Sequence, residues 1–146
     1  MILLDTNVVS ELMRPAPDRH VVAWVDAQPA SDLWVSAITV GEIRLGIALL
    51  PAGQRQARLV QLADSMFQED FSGRCLPYDV RAATAFAEIV AARTRLGRPI
   101  SVEDAQIAAI ARAGKLILAT RNTKDFGDID DVAVVNPWPG ETDYRQ

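Results

Sequence analysis

Three carboxylates stand in the same local setting along this chain. Asp5 follows the apolar run Met1-Ile2-Leu3-Leu4, Glu42 follows Trp34-Val35-Ser36-Ala37-Ile38-Thr39, and Asp104 lies within Ile100-Ser101-Val102-Glu103-Asp104. Each marks a place where an extended or loop segment gives way to a helical pattern. Open parallel sheets bind their ligands at the carboxyl ends of the strands, so acids at these positions can gather at one edge. A fourth polar segment, Thr120-Arg121-Asn122-Thr123-Lys124-Asp125, follows the apolar run Leu116-Ile117-Leu118-Ala119. Gathered carboxylates repel one another, and a cluster that stays ionised needs a cation. The chain has one histidine, His20, and one cysteine, Cys75, so a metal must rest on oxygen ligands. One or two carboxylates completed by water suit Mg²⁺ or Mn²⁺. Such an ion activates water for in-line attack on phosphorus and offsets the charge on phosphate oxygens, with no histidine base required.

Every one of these acids has a second reading. Thr39 with Glu42, and Ser101 with Asp104, match the capping-box spacing, in which a hydroxyl caps a helix and an acid three residues on reaches back to a free backbone donor. Asp5 can cap the first helix or complement its positive end. What sets the three apart is that they recur together in the same context.

The elements that must position them follow from apolar patterning and punctuation. Strands are predicted at Met1 to Leu4, Leu33 to Val35, Arg74 to Leu76, Leu116 to Ala119 and Ala133 to Val135. Helices are predicted at Asn7 to Met13, Arg19 to Asp26 and Val40 to Leu50, each ended by Pro15, Pro29 or Pro51. Further helices are predicted at Gln54 to Gln68, Val80 to Leu96 and Val102 to Ala113, the last two closed by Gly97 and Gly114. Strands separated by helical crossovers imply an α/β fold, a three-layer sandwich about a parallel sheet. Within Val80 to Leu96 the predicted buried stripe is Ala83, Phe86, Ala87, Val90 and Ala91, with Arg81, Glu88, Arg93 and Arg95 elsewhere around the helix. Trp24 and Trp34 read as packing residues, and Asn136-Pro137-Trp138-Pro139 as a chain end pinned by an aromatic anchor.

With 146 residues, 49% of them hydrophobic and 23% charged, the chain matches one domain spanning residues 1–146 that needs no disulfide staples. It begins within a strand pattern, with no basic leader, and no apolar run approaches the roughly 20 residues of a membrane span. A cytoplasmic location is therefore expected. The formal net charge of −4 argues against a protein that holds nucleic acid by overall basicity. Arg14, Arg19, Arg44, Arg121 and Lys124 nonetheless lie near the acids in sequence, either as a local basic rim or as solvated charge.

Taken together, these residues resemble the PIN-domain family, and within it the VapC and FitB-like toxins of bacterial toxin–antitoxin pairs. The resemblance rests on Met1-Ile-Leu-Leu-Asp5-Thr6-Asn7-Val-Val-Ser10-Glu11, Ser36-Ala-Ile-Thr39-Val-Gly-Glu42-Ile-Arg44-Leu-Gly46, Asp104-Ala-Gln-Ile-Ala-Ala, Ala119-Thr120-Arg121-Asn122 and Asn136-Pro137-Trp138. It implies a five-stranded parallel sheet, a Mg²⁺-dependent ribonuclease that cuts RNA when freed from its antitoxin, and a homodimer. By position it implies Asp5 and Asp104 as the principal metal ligands and Glu42 as a third acid, ligating directly or through water. Thr6 and Thr120 would hydrogen-bond around the cluster. The FitB-like pattern places Asp directly after Thr-Arg, whereas this chain has Asn122, which offers an oxygen without a charge. Asp125 is the other candidate for that role.

On this reading Arg44, Arg121 and Lys124 help to place the substrate. The apolar stretch between Asn7 and Leu50 is either a groove for the antitoxin or ordinary core. The alternative is a catalytically weak PIN-fold binding protein that dimerises and joins its antitoxin in a complex on operator DNA, since FitB-like members are associated with DNA in complex with a partner. A haloacid-dehalogenase-like phosphatase also opens on a strand followed by Asp, but it needs a second Asp two residues on, where this chain has Asn7.

Overall fold

The computed structural model describes residues 1–139; the last seven residues of the domain expected over 1–146 lie outside the described residues. Five short strands form the sheet: β1 (Ile2–Leu4), β2 (Leu33–Ser36), β3 (Cys75–Leu76), β4 (Ile117–Ala119) and β5 (Val134–Val135). All neighbours are parallel, in the order β3-β2-β1-β4-β5. The α-helices among the described residues are α1 (Thr6–Leu12), α2 (Arg19–Asp26), α3 (Ala37–Ala48), α4 (Gln54–Ser65), α5 (Val80–Arg95), α6 (Val102–Gly114) and α7 (Thr123–Phe126).

Alternation along the strands divides the interior into two cores, as a sheet covered on both faces requires. Leu3 and Leu118 point to the side of α5, α6 and α7, where they meet Ile89, Ile107 and Phe126. Leu4, Val35 and Ala119 point the other way and meet Val8, Val9, Val21, Ile43 and Trp138. The three-layer α/β/α sandwich with a five-stranded parallel sheet is thus observed. Trp24 and Trp34 pack against the two cores, and Trp138 is buried as the anchor of the chain's last described segment. No helix among the described residues is long and apolar enough to cross a membrane.

Local signals fix most boundaries. Asp5, Asp18, Asp79 and Ser101 each cap the helix that follows them by accepting a backbone N–H. The structure moves α3, however. Its cap is Ser36, whose Oγ accepts the Thr39 N–H at 3.1 Å, so the helix starts at Ala37 rather than Val40. The Thr39–Glu42 capping box therefore does not form, because Thr39 is already inside the helix. Only half of the Ser101–Asp104 box is present: Ser101 Oγ accepts the Asp104 N–H at 3.2 Å. We expect Ser36→Ala to lower stability by about 1 kcal/mol, because this cap is buried. A urea titration reads it, and an unchanged midpoint would place the helix start elsewhere.

Three further expectations are corrected. Gln54 to Gln68 is α-helical only to Ser65 and ends in a π-helical turn, Met66–Asp70. Gly97 does close α5 in the left-handed region (φ +67°), but at the end of α6 the left-handed residue is Lys115 (φ 57°). Gly114 instead leaves room for the Leu116 side chain, which a β-carbon there would strike. The buried stripe of α5 is Ala82, Ala85, Ile89 and Arg93, leaving Ala83 and Ala87 exposed and Phe86, Val90 and Ala91 half-buried. Phe86 sits at the flank, edge-on to Tyr78 at 6.3 Å.

Candidate active site

The central strand order brings the site together. Leu4 pairs with Ala119, so the residues that follow them, Asp5 and Thr120, leave the sheet side by side at its carboxyl edge. The sheet diverges there, with β2 to one side of β1 and β4 to the other, the switch point at which open α/β sheets bind ligands.

Asp5 is 3% exposed, and both of its oxygens are engaged. One accepts the Thr6 N–H at 2.8 Å and the other the Thr120 hydroxyl at 2.7 Å. Thr120 in turn accepts from Asn7 Nδ2 at 3.2 Å and from the Asn122 N–H at 3.0 Å. Burial pushes the Asp5 carboxyl up from 3.8 to about 6, and the nearby Asp104 and Glu42 carboxylates add to the rise, against the opposing pull of its Thr120 and Thr6 hydrogen bonds.

The acids flank Asp5 on two sides. On one, Glu42 accepts the Thr6 hydroxyl at 2.8 Å, and Thr6 Oγ1 lies 2.9 Å from Thr39 Oγ1, to which Ser36 Oγ also donates at 3.4 Å. On the other, Asp104 in the first turn of α6 shares a cavity of about 220 Å³ with Asp125, Ser101 and Arg93. Burial raises the Asp104 carboxyl above its ordinary range, the Ser101 hydrogen bond opposes this, and the Asp125 and Glu103 carboxylates add to it.

Asp125 is thus the acid of the fourth segment that faces Asp104. Asn122 contributes its backbone N–H to Thr120, and its exposed side chain makes no hydrogen bond among the described residues. Among those residues no three His, Cys, Asp or Glu side chains are grouped tightly enough to enclose an ion by themselves. The donor set is nonetheless all oxygen. Two raised carboxyls beside further acids are the setting that a small hard cation relieves, and Mg²⁺ usually takes only one or two carboxylates and keeps its waters.

The basic residues are distributed differently from expectation. Arg44 is turned away from the acids: it pairs with Asp64 of α4 at 2.9 Å and lies over the Phe67 ring at 5.7 Å. Arg121 is exposed after β4, with its guanidinium 5.1 Å from the centre of the Trp138 ring, and Lys124 is exposed on α7. A groove of about 640 Å³ opens from Thr6 and Glu42 between α1, α3 and α4, and its arginines are Arg14, Arg55 and Arg58. The last two were missed in the sequence, although their spacing of three puts them on one face of α4. Met13, Ile43, Ile47, Leu50 and Leu59 give this groove an apolar floor, whereas Val8 and Val9 are fully buried core. The stretch from Asn7 to Leu50 is therefore partly groove and partly core.

Comparison with known proteins agrees with this geometry. A family model described as PIN domain matches residues 2–132. Toxin FitB of Neisseria gonorrhoeae is 45% identical over 138 residues, covering 94% of this chain and 99% of the relative. VapC ribonuclease Y4jK of Sinorhizobium fredii is 41% identical over 138 residues, covering 94% and 98%. A solved structure of FitAB bound to an IR36 DNA fragment superposes with a TM-score of 0.85 at 44% identity, covering 97% of this chain and 98% of the other. The chain belongs to the PIN-domain family.

Proposed function

We propose that this protein is a Mg²⁺-dependent endoribonuclease and the toxin of a toxin–antitoxin pair, with Mn²⁺ as a workable substitute. The observation that carries the reading is Asp5: a buried carboxyl raised to about 6, held by two threonines at the switch point of the sheet and flanked by Glu42 and Asp104. Relatives of matching length include a toxin and a VapC ribonuclease.

Asp5 and Asp104 would hold the ion, with Glu42 as the third acid. When bound, it supplies positive charge that eases loss of a proton from water and offsets charge on the phosphate. Thr6 and Thr120 fix the Asp5 oxygens in advance, so no ordering of that side chain is left to the reaction. Hydrolysis adds the water oxygen to phosphorus and breaks its bond to the 3′ oxygen, which leaves and takes up a proton. The products carry a 5′-phosphate and a 3′-hydroxyl. Arg121 and Lys124 beyond β4, with Arg14, Arg55 and Arg58 along the groove, offer phosphate contacts. The groove floor is apolar, and among the described residues no aromatic side chain lines it on which a base could stack, which favours a peptide segment of the antitoxin as its occupant. Homodimerisation, and operator binding by the complex with antitoxin, belong to the same proposal.

The reading is tested by incubating a defined single-stranded RNA with the purified chain, with Mg²⁺ and with EDTA. Cleavage that requires the metal and leaves 5′-phosphate ends is expected; metal-independent cleavage, or 2′,3′-cyclic phosphate ends, would sink it. A second reading, the catalytically weak DNA-regulatory partner, is favoured by Asn122 in place of an acid. Mn²⁺ binding that Asp104→Asn removes would count against it.

A further inference from the structure

Arg93 is drawn into the interior although it lies on an otherwise solvated stretch of α5. The residue is 5% exposed, and among the described residues no carboxylate lies within ion-pair distance of it. Its donors go to main-chain oxygens instead. Nε donates to the Arg98 carbonyl and Nη1 to the Asp125 carbonyl, both at 2.8 Å, while the Arg98 N–H returns a bond to the Arg93 carbonyl at 2.9 Å. Burying a guanidinium without a carboxylate is costly, so hydrogen bonds with good geometry have to offset it.

The two acceptors belong to the two segments that deliver acids. Arg98 lies in the loop leading to Ser101, the cap of α6, one turn before Asp104. Asp125 lies in α7, a four-residue turn that has no side-chain cap. The Arg93 side chain also lines the cavity in which Asp104 and Asp125 face each other. Phe126 anchors α7 in the core.

We propose that Arg93 is a positioning residue for the acid site: its planar fork ties the loop entering α6 to α7 and so sets the separation of Asp104 and Asp125. Its consequence for metal rests on the nuclease reading above; the clamp itself does not. Lysine keeps the charge, but its three donors rotate on one nitrogen at the end of a flexible stem, so it cannot span both carbonyls in the fixed relation the fork gives.

The test compares wild type, Arg93→Lys, Arg93→Met and Arg98→Ala as full-length chains, using Mn²⁺ titration, amide hydrogen exchange and RNA cleavage kinetics. In Arg93→Lys we expect Mn²⁺ affinity to fall roughly tenfold, as when an outer-shell partner of a metal ligand is removed. Exchange should quicken in residues 97–101 and 123–126 alone, and kcat should fall while KM for RNA stays within about twofold. Arg98→Ala keeps the backbone carbonyl that Arg93 binds and loses only the solvent-exposed pair of Arg98 with Asp128, a surface contact worth little, so its Mn²⁺ affinity should stay within about twofold of wild type. If Arg93→Lys matches wild type in both exchange and Mn²⁺ affinity, the proposal is overturned; faster exchange throughout the chain overturns it equally, in favour of a purely structural role. Should Arg93→Met fail to fold, Arg93→Lys carries the comparison. Should wild type itself bind no Mn²⁺ and cut no RNA, the nuclease reading fails and local exchange still decides the clamp.

Discussion

On the proposed nuclease reading, Asp5→Asn and Asp104→Asn are each expected to lower Mg²⁺-dependent RNA cleavage by roughly 10²-fold or more, the scale on which removing one group that acts on transition-state charge is felt. Both substitutions keep the shape of the side chain, so a loss of activity is not a loss of fold. At position 5 the amide oxygen can still accept the Thr6 N–H. The amide nitrogen, however, meets the Thr120 oxygen, which already accepts from Asn7 and from the Asn122 backbone. At position 104 the Ser101 cap is untouched, because it rests on the backbone N–H. What both variants lack is negative charge on the two sides of the switch point. Initial rates on a defined RNA, with circular dichroism to confirm folding, decide the matter. Either variant cutting at the wild-type rate would remove that acid from the site.

The second large effect runs in the opposite direction. In metal-free buffer Asp5→Asn is expected to gain on wild type in stability as pH rises, by about 2 kcal/mol between pH 4 and pH 8. The folded carboxyl sits at about 6 against 3.8 for the ordinary group, so between those values the native state binds more protons than the unfolded chain. Stability of the wild type therefore falls as pH rises through that window, and the penalty is complete above about 6. Below 3.8 the group is protonated in both states and contributes nothing. Asparagine has no such titration, although the crowding of donors at Thr120 takes back part of the gain at every pH. Urea titrations in EDTA at pH 4, 6 and 8 read the trend, and a wild type that keeps pace with Asp5→Asn across the series would show that burial does not disfavour the charge. Added Mg²⁺ should stabilise the wild type and not the variant, because a ligand that binds only the native state raises its stability by mass action.

These two results belong together. The carboxyl that the reading makes essential is also the one that the fold pays most to keep ionised, which is the relation expected of a site shaped for function rather than stability. Asp5 also caps α1, so its two readings in the sequence were not rivals. One oxygen orders the helix start while the side chain as a whole faces the other acids.

Much of this could be read from the chain. Four of the five strands lie within their predicted windows and β2 runs one residue past its own, to Ser36, because short apolar runs bounded by polar or turn residues are what a sheet buried on both faces demands. The convergence of Asp5 with Thr120, 115 residues apart, was implied by the family resemblance, and the pairing of β1 with β4 accounts for it. The misses share a cause, which is that the deciding partner was not a side-chain pattern. Ser36/Thr39 and Thr39/Glu42 offer the same three-residue spacing, and only the end of β2 selects the first. Alanine fills α5 on every side, so periodicity there has little gradient to report, and the stripe came out on the wrong face. Arg93 was placed off the buried stripe because its partners are carbonyl oxygens of residues 98 and 125, and every residue in the chain has one. Arg44 failed the other way: its nearness to Glu42 in sequence suggested the acids, while its helical direction gave it to Asp64.

The hydroxyls between α1 and α3 have one proton each, and that sets a polarity. Thr6 gives its proton to Glu42, so Thr39 must give its own to Thr6, and Ser36 gives to Thr39. The three rotors form a one-way wire that ends at a single oxygen of Glu42. No hydroxyl in it can turn round without the next losing its donor, so the seam between the two helices has one orientational state rather than several. Of Glu42, one oxygen is held by that wire, and the other is the one left for an ion, a water or a substrate.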